Sequence, residues 1–205
     1  MIADKDLLSM QYARILAENA REAQKKLAGF PQEKLDQIVE HVAGEMEKHA
    51  RELAVMSFEE TDYGRWQDKL IKISFVCRSV LRGLRGMRCV GTLREDAGGN
   101  VLEVGVPLGV IVALCPSTSP VSTAIYKALL AIKSGNAIIF SLHPRAVRCM
   151  KRTLDLLIAA AEECGLPEGC VSYLATSTRS GTIELMRHPA TSLVLLTGVV
   201  GMLDA

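Results

Sequence analysis

Val110-Ile111-Val112-Ala113-Leu114-Cys115-Pro116-Ser117-Thr118-Ser119-Pro120 is the stretch that decides the fold. Five apolar residues run without a polar break, so a strand here must be covered on both faces, as strands of a parallel sheet are. The turn that follows holds two prolines and three hydroxyls, and Pro120 to Lys133 reads as a helix opened by proline. The alternation then repeats. Ala137-Ile138-Ile139-Phe140 is a second short apolar run, followed by a helix from Ala146 to Cys164 that Gly165 and Pro167 close. Val171–Leu174 is a third run, Thr182–Arg187 a short helix and Leu193–Leu196 a fourth run. The expected fold class is α/β, a Rossmann-like parallel sheet with helices on both faces. Right-handed crossovers would gather the turns after the strands at one carboxyl edge, where ligands bind in such sheets.

Upstream the chemistry differs. Residues 1–104 hold 17 Asp/Glu and 16 Lys/Arg, whereas residues 105–205 hold 6 and 8. The first stretch therefore reads as a solvated helical region and the second as a buried sheet. Leu8, Tyr12, Ile15, Leu16, Ala23 and Leu27 recur at helical spacing, and Gly29-Phe30-Pro31 ends that helix. Leu35, Ile38, Val39, Val42, Met46, Leu53 and Met56 mark one stripe of a second long helix. A third is expected from Trp66 to Leu84, with Arg78, Arg82, Arg85 and Arg88 along its end, either as a solvated face or as a site for an anion such as CoA. Cys89–Arg94 and Val101–Val104 flank a Gly/Asn-rich turn and suggest a projecting β-hairpin over about 89–104.

The 205 residues are 49% hydrophobic and 23% charged, with a formal charge of +1. That balance argues against a nucleic-acid partner, since no field would collect phosphates. No run approaches the roughly 20 apolar residues that span a bilayer. Acidic residues in Met1–Asp6 and the lack of an apolar core argue against a secretory signal, so a cytoplasmic protein is expected. Cys77, Cys89, Cys115, Cys149, Cys164 and Cys170 show no metal-ligand spacing, so reduced thiols and no metal site are expected.

Three strand-end turns are the candidate site. Leu114 to Pro120 contributes Cys115, Pro116, Ser117 and Thr118. Phe140-Ser141-Leu142-His143-Pro144-Arg145 contributes a hydroxyl and an imidazole before a helix. Leu196-Thr197-Gly198-Val199-Val200-Gly201 would let backbone N–H groups approach a phosphate. Each is weak alone; their shared edge is the stronger signal.

Gly105-Val106-Pro107-Leu108-Gly109-Val110-Ile111, Pro116 through Lys127, Ile138 through Ala146, Arg187-His188-Pro189 and Leu196-Thr197-Gly198 occur in the order seen in the CoA-acylating aldehyde dehydrogenases. So does Glu60-Thr61-Asp62-Tyr63-Gly64 with Asp68-Lys69. The whole chain resembles the N-terminal half of that family, which includes the aldehyde half of the bifunctional aldehyde-alcohol dehydrogenases. The resemblance implies a reaction of aldehyde, CoA and NAD or NADP, in which a cysteine thiolate attacks the aldehyde, hydride passes to the dinucleotide and CoA takes the acyl group. It implies that Cys115, Pro116, Ser117 and Thr118 line the nicotinamide side, with Thr118 near an oxyanion. Ser141, His143 and Pro144 would lie by the adenosine ribose, Ser141 standing where general aldehyde dehydrogenases use lysine. Thr197, Gly198 and Val199 would approach the pyrophosphate.

Three turns depart from the family's pattern. Thr118-Ser119-Pro120 replaces Thr-Asn-Pro, Ser141-Leu142-His143-Pro144 replaces Ser-Pro-His-Pro, and Gly198-Val199-Val200-Gly201 replaces Gly-Gly-Pro-Gly. The two valines imply a weaker pyrophosphate contact, because β-branched residues resist positive φ. The nucleophilic cysteine is expected beyond Ala205, with the catalytic domain and the rest of the sheet, so a chain inactive alone is expected. The alternatives are a non-catalytic partner that joins a full-length relative or binds nucleotide, and an unrelated doubly wound domain. The resemblance also makes residues 105–205 an incomplete dinucleotide-binding domain and implies a homo-oligomer or association with a full-length relative, with a microcompartment as the other address; the hairpin itself is either an edge ornament or an oligomerisation arm.

Overall fold

The structure is a computed structural model that describes residues 4–96 and 98–198. Helix α1 (Lys5–Leu27) starts at Asp4, whose carboxylate accepts from the N–H groups of Asp6 and Leu7. It is followed by α2 (Gln32–Lys48), α3 (Ala50–Thr61), α4 (Trp66–Ser74), a π-helical segment (Phe75–Val80) and α5 (Leu81–Leu84). The hairpin consists of β1 (Gly91–Glu95) and β2 (Leu102–Gly105), paired antiparallel. Then come β3 (Val110–Leu114), α6 (Pro120–Lys133), β4 (Ala137–Ser141), α7 (Val147–Glu163), β5 (Val171–Leu174), α8 (Arg179–Arg187) and β6 (Thr191–Leu196).

The four later strands form one sheet in the order β5-β4-β3-β6, each pair parallel. Its register is level at the carboxyl edge: Leu114 lies opposite both Ser141 and Leu196, and Ser141 opposite Leu174. The expected α/β fold is thus observed. All residues of β3 and β4 are buried, whereas edge strand β6 leaves Leu193 and Val194 partly exposed. Alternate side chains feed two cores. Ile111, Ala113, Ile138 and Phe140 join α2, α6 and α7, while Val110, Val112, Ala137 and Ile139 meet α1 and α8. Among the described residues no helix is long and apolar enough to cross a membrane.

Three helices differ from the sequence expectation. In α1 the expected Ala23 and Leu27 are buried, but the rest of the buried stripe is Ser9, Ala13, Ala17 and Ala20, while Leu8, Tyr12 and Ile15 face outward. Small side chains let the helix lie close on the sheet, so packing distance overrides bulk. The expected long second helix is broken at His49 (φ −93°, ψ 1°), which re-aims α3 while Met46, Ala50 and Leu53 stay in the core. The third runs from Trp66 to Leu84 but widens into the π segment. Three of its four arginines are tied to α2, and exposed Arg82 makes no ion pair among the described residues. Arg78, Arg85 and Arg88 pair with Glu47, Glu40 and Glu33 of α2 at 2.5, 3.0 and 2.7 Å.

Candidate functional site

The turns that leave β3 and β4 face α8 across a cleft of about 420 Å³ at the carboxyl edge. Such a volume falls in the range of ordinary ligand pockets, about 300–1,000 Å³. β3 delivers Leu114 and Cys115, and β4 delivers Ser141, His143 and Pro144. The opposite wall is Ser177, Thr178, Arg179, Thr182 and Met186.

Three hydroxyls converge inside it. Ser141 Oγ is 2.8 Å from Ser177 Oγ and 2.7 Å from Thr182 Oγ1, which itself donates to the Thr178 carbonyl at 2.8 Å. One proton order satisfies all of them: Ser177 donates to Ser141, Ser141 to Thr182, and Thr182 to the carbonyl. Ser177 is then the open end, with lone pairs free to accept from a ligand hydroxyl. The wall is held from α1, where buried Ser9 donates to the Thr176 carbonyl at 2.6 Å and accepts from the Thr178 N–H at 3.3 Å. Gly181 is required there, because any Cβ would overlap Ser9.

The turn after β4 is anchored from α3. Glu60 accepts the N–H groups of Arg148 and Cys149, each at 2.7 Å, and so caps α7 from a distant helix. Burial alone would raise its pKa, but those two N–H donors hold it below the usual glutamate value. Arg145 adds a bond to the Thr61 carbonyl at 3.4 Å. The Nδ1 of His143 accepts from the Arg145 N–H at 3.1 Å, and burial and the Arg145 charge both lower the imidazole's pKa. His143 is therefore neutral at pH 7, with Nε2–H left to donate.

Two lysines fix the remaining turns. Buried Lys127 reaches from α6 to the Leu114 and Leu195 carbonyls at 2.6 and 2.7 Å, tying β3 to β6 where both strands end. Burial lowers its pKa. Lys69 of α4 donates to the Thr118 carbonyl at 2.9 Å, and Lys72 to Ser119 Oγ at 3.2 Å.

The structure thus brings Cys115, Ser141, His143 and Pro144 into one cleft. Pro116, Ser117 and exposed Thr118 leave the same edge but do not line it. Thr197 and Gly198 follow β6 beside β3, the Thr197 N–H donating to the Leu114 carbonyl at 3.2 Å, and they too lie off the lining. Val199 is outside the described residues. Sequence reasoning missed Ser177, Arg179 and Thr182, although the hydroxyl-rich turn after β5 carried the same signal as the turns it did select. Burial pushes the thiols of Cys77, Cys115, Cys149 and Cys170 up to about 12, so none is a thiolate at neutral pH. Cys89 and Cys164 are half-buried and do not line the cleft. Among the described residues no three His, Cys, Asp or Glu side chains are placed to hold a metal ion.

A model of the aldehyde dehydrogenase family matches residues 2–202. The chain belongs to that family. Among its curated relatives, the bifunctional aldehyde-alcohol dehydrogenase of Escherichia coli is 34% identical over 190 residues, 93% of this chain and 21% of that protein. The acetaldehyde dehydrogenase (acetylating) of Salmonella typhimurium is 32% identical over 200 residues, 96% of this chain and 40% of that protein. The crystal structure of an acetylating aldehyde dehydrogenase from Geobacillus thermoglucosidasius superimposes with a TM-score of 0.96 at 38% identity, covering 99% of this chain and 45% of that one. The chain therefore spans less than half the length of these family members. The resemblance read from its turns holds, and the family's members are oxidoreductases acting on aldehydes.

Proposed function

We propose that the chain is the nucleotide-holding part of a CoA-acylating aldehyde dehydrogenase that uses NAD or NADP. The observation that carries this reading is the cleft at the carboxyl edge, where Cys115, Ser141, His143 and Pro144 meet the first turn of α8. The residues suit an adenosine group. The hydroxyl chain ending at Ser177 can take a ribose hydroxyl, and neutral His143 can donate one hydrogen bond. Leu114, Leu142 and Met186 supply apolar surface for a base. Bound there, the dinucleotide would supply the hydride acceptor.

The residues off the cleft line extend the reading along the same edge. Thr118, whose carbonyl accepts from Lys69, would face an oxyanion beyond β3, with Pro116 and Ser117 beside the nicotinamide end. Thr197 and Gly198 follow the strand next to β3 and would serve the pyrophosphate side. The described residues offer no activated thiol at this edge, so aldehyde attack and transfer to CoA require a cysteine from elsewhere. Leu93, Leu102 and Val104, exposed on the hairpin, support self-association or association with a relative through that arm.

Calorimetry with NAD and NADP, run beside an assay with acetaldehyde and CoA, tests both parts. The chain should bind dinucleotide and reduce none. Turnover by the purified chain would overturn the claim of inactivity, and failure to bind either dinucleotide would overturn the nucleotide reading.

A further inference from the structure

The cleft contains an uneven set of charges. None of the described residues lining it is an aspartate or glutamate. Dinucleotide folds that select NAD place a carboxylate to accept from the ribose 2′-hydroxyl, whereas those that take NADP set an arginine near the 2′-phosphate. Here Arg179 lines the cleft in the first turn of α8, two residues from Ser177, the open end of the hydroxyl chain. It is exposed and makes no ion pair among the described residues. By contrast, Arg14, Arg65 and Arg152 pair with Glu184, Asp68 and Glu52, and Arg78, Arg85 and Arg88 with glutamates of α2. The start of α8 adds the positive end of a helix dipole to the same wall. The other titratable lining groups supply no opposing negative charge. Burial keeps the Cys115 thiol protonated, its pKa raised to about 12, and His143 is neutral.

Resting on the nucleotide reading above, we infer that the adenosine end of this cleft is built for a 2′-phosphate, with Arg179 as the residue that selects NADP over NAD. Ser177, the open end of the hydroxyl chain, takes the ribose hydroxyl, and the guanidinium meets the phosphate oxygens. A charge-assisted hydrogen bond of this kind contributes about 1.5–3 kcal/mol, which corresponds to roughly tenfold or more in affinity.

Calorimetry of the full chain with adenosine 2′,5′-bisphosphate and with 5′-AMP tests the inference without requiring turnover. The bisphosphate should bind about tenfold or more tighter. Arg179→Ala should bring the two within about twofold, Arg179→Lys should restore part of the gap, and Arg187→Ala, at the far end of the same helix, should keep it. Because Arg179 is exposed, its variants should unfold at the wild-type temperature, which circular dichroism checks. Equal binding of the two probes, or a preference that survives Arg179→Ala, would overturn the inference and leave the nucleotide reading standing. Binding of neither probe would overturn both.

Discussion

Replacing Glu60 by glutamine tests how the site is held in place. Glu60 reaches from α3 to the first turn of α7 and accepts two N–H groups at 2.7 Å each. Glutamine keeps the shape and one acceptor, but it turns an NH₂ group toward the second donor and removes the charge from a helix N-terminus. Loss of a cap costs about 0.5–2 kcal/mol, and hydrogen bonds to charged groups contribute about 1.5–3 kcal/mol. Since the carboxylate is only partly buried, a destabilisation of about 1–2 kcal/mol is expected. For a chain of this size each kcal/mol lowers Tm by about 2–4 °C, so the variant should melt about 2–8 °C below wild type. The pH dependence has a definite sign. The folded pKa of Glu60 lies below the ordinary value of 4.5. A depressed carboxylate contributes stability above its unfolded pKa and loses it as pH falls through the folded pKa. The gap in Tm should therefore be full at neutral pH and close as the pH drops below 4.5. Melting followed by circular dichroism from neutral to acid pH measures it. Equal Tm values at neutral pH, or a gap that acid leaves unchanged, would refute the capping argument.

Two further outcomes follow from the site. Ser177→Ala should weaken adenine-nucleotide binding with little change in Tm, because it removes only the open end of the hydroxyl chain; Ser141→Ala should lower both, since it leaves Ser177 and Thr182 without their shared partner, and calorimetry with melting separates the two. Thiol titration of the native chain near pH 8 should leave Cys77, Cys115, Cys149 and Cys170 unreacted, their pKa values being about 12, and all six should react in denaturant; rapid native labelling of Cys115 would contradict its burial.

The sheet was legible because its strands are short apolar runs separated by helices, and Val110–Leu114 and Val171–Leu174 have the ends read from sequence alone. Gly165 terminates α7 as expected, at φ +91°. The face of α1 was not legible: hydropathy favours Leu8 and Tyr12, but close packing on the sheet selects Ala13, Ala17 and Ala20. A third of the cleft's lining was visible in Cys115, Ser141, His143 and Pro144, which follow strands in sequence. Arg179 and Ser177 join the site because the order β5-β4-β3-β6 sets the hydroxyl-rich turn after β5 beside that after β4. Lys69, Lys127 and Glu60 act on carbonyls and N–H groups 49, 13 or more, and 88 residues away, a relation no local pattern contains.

Hydrogen exchange measured with and without saturating NADP reads the occupied surface directly. Slower exchange should appear in residues 114–118, 141–146 and 177–182, the segments that meet at the carboxyl edge. Unchanged exchange in all three, or protection confined to the Arg78–Arg88 face, would contradict the placement of the dinucleotide.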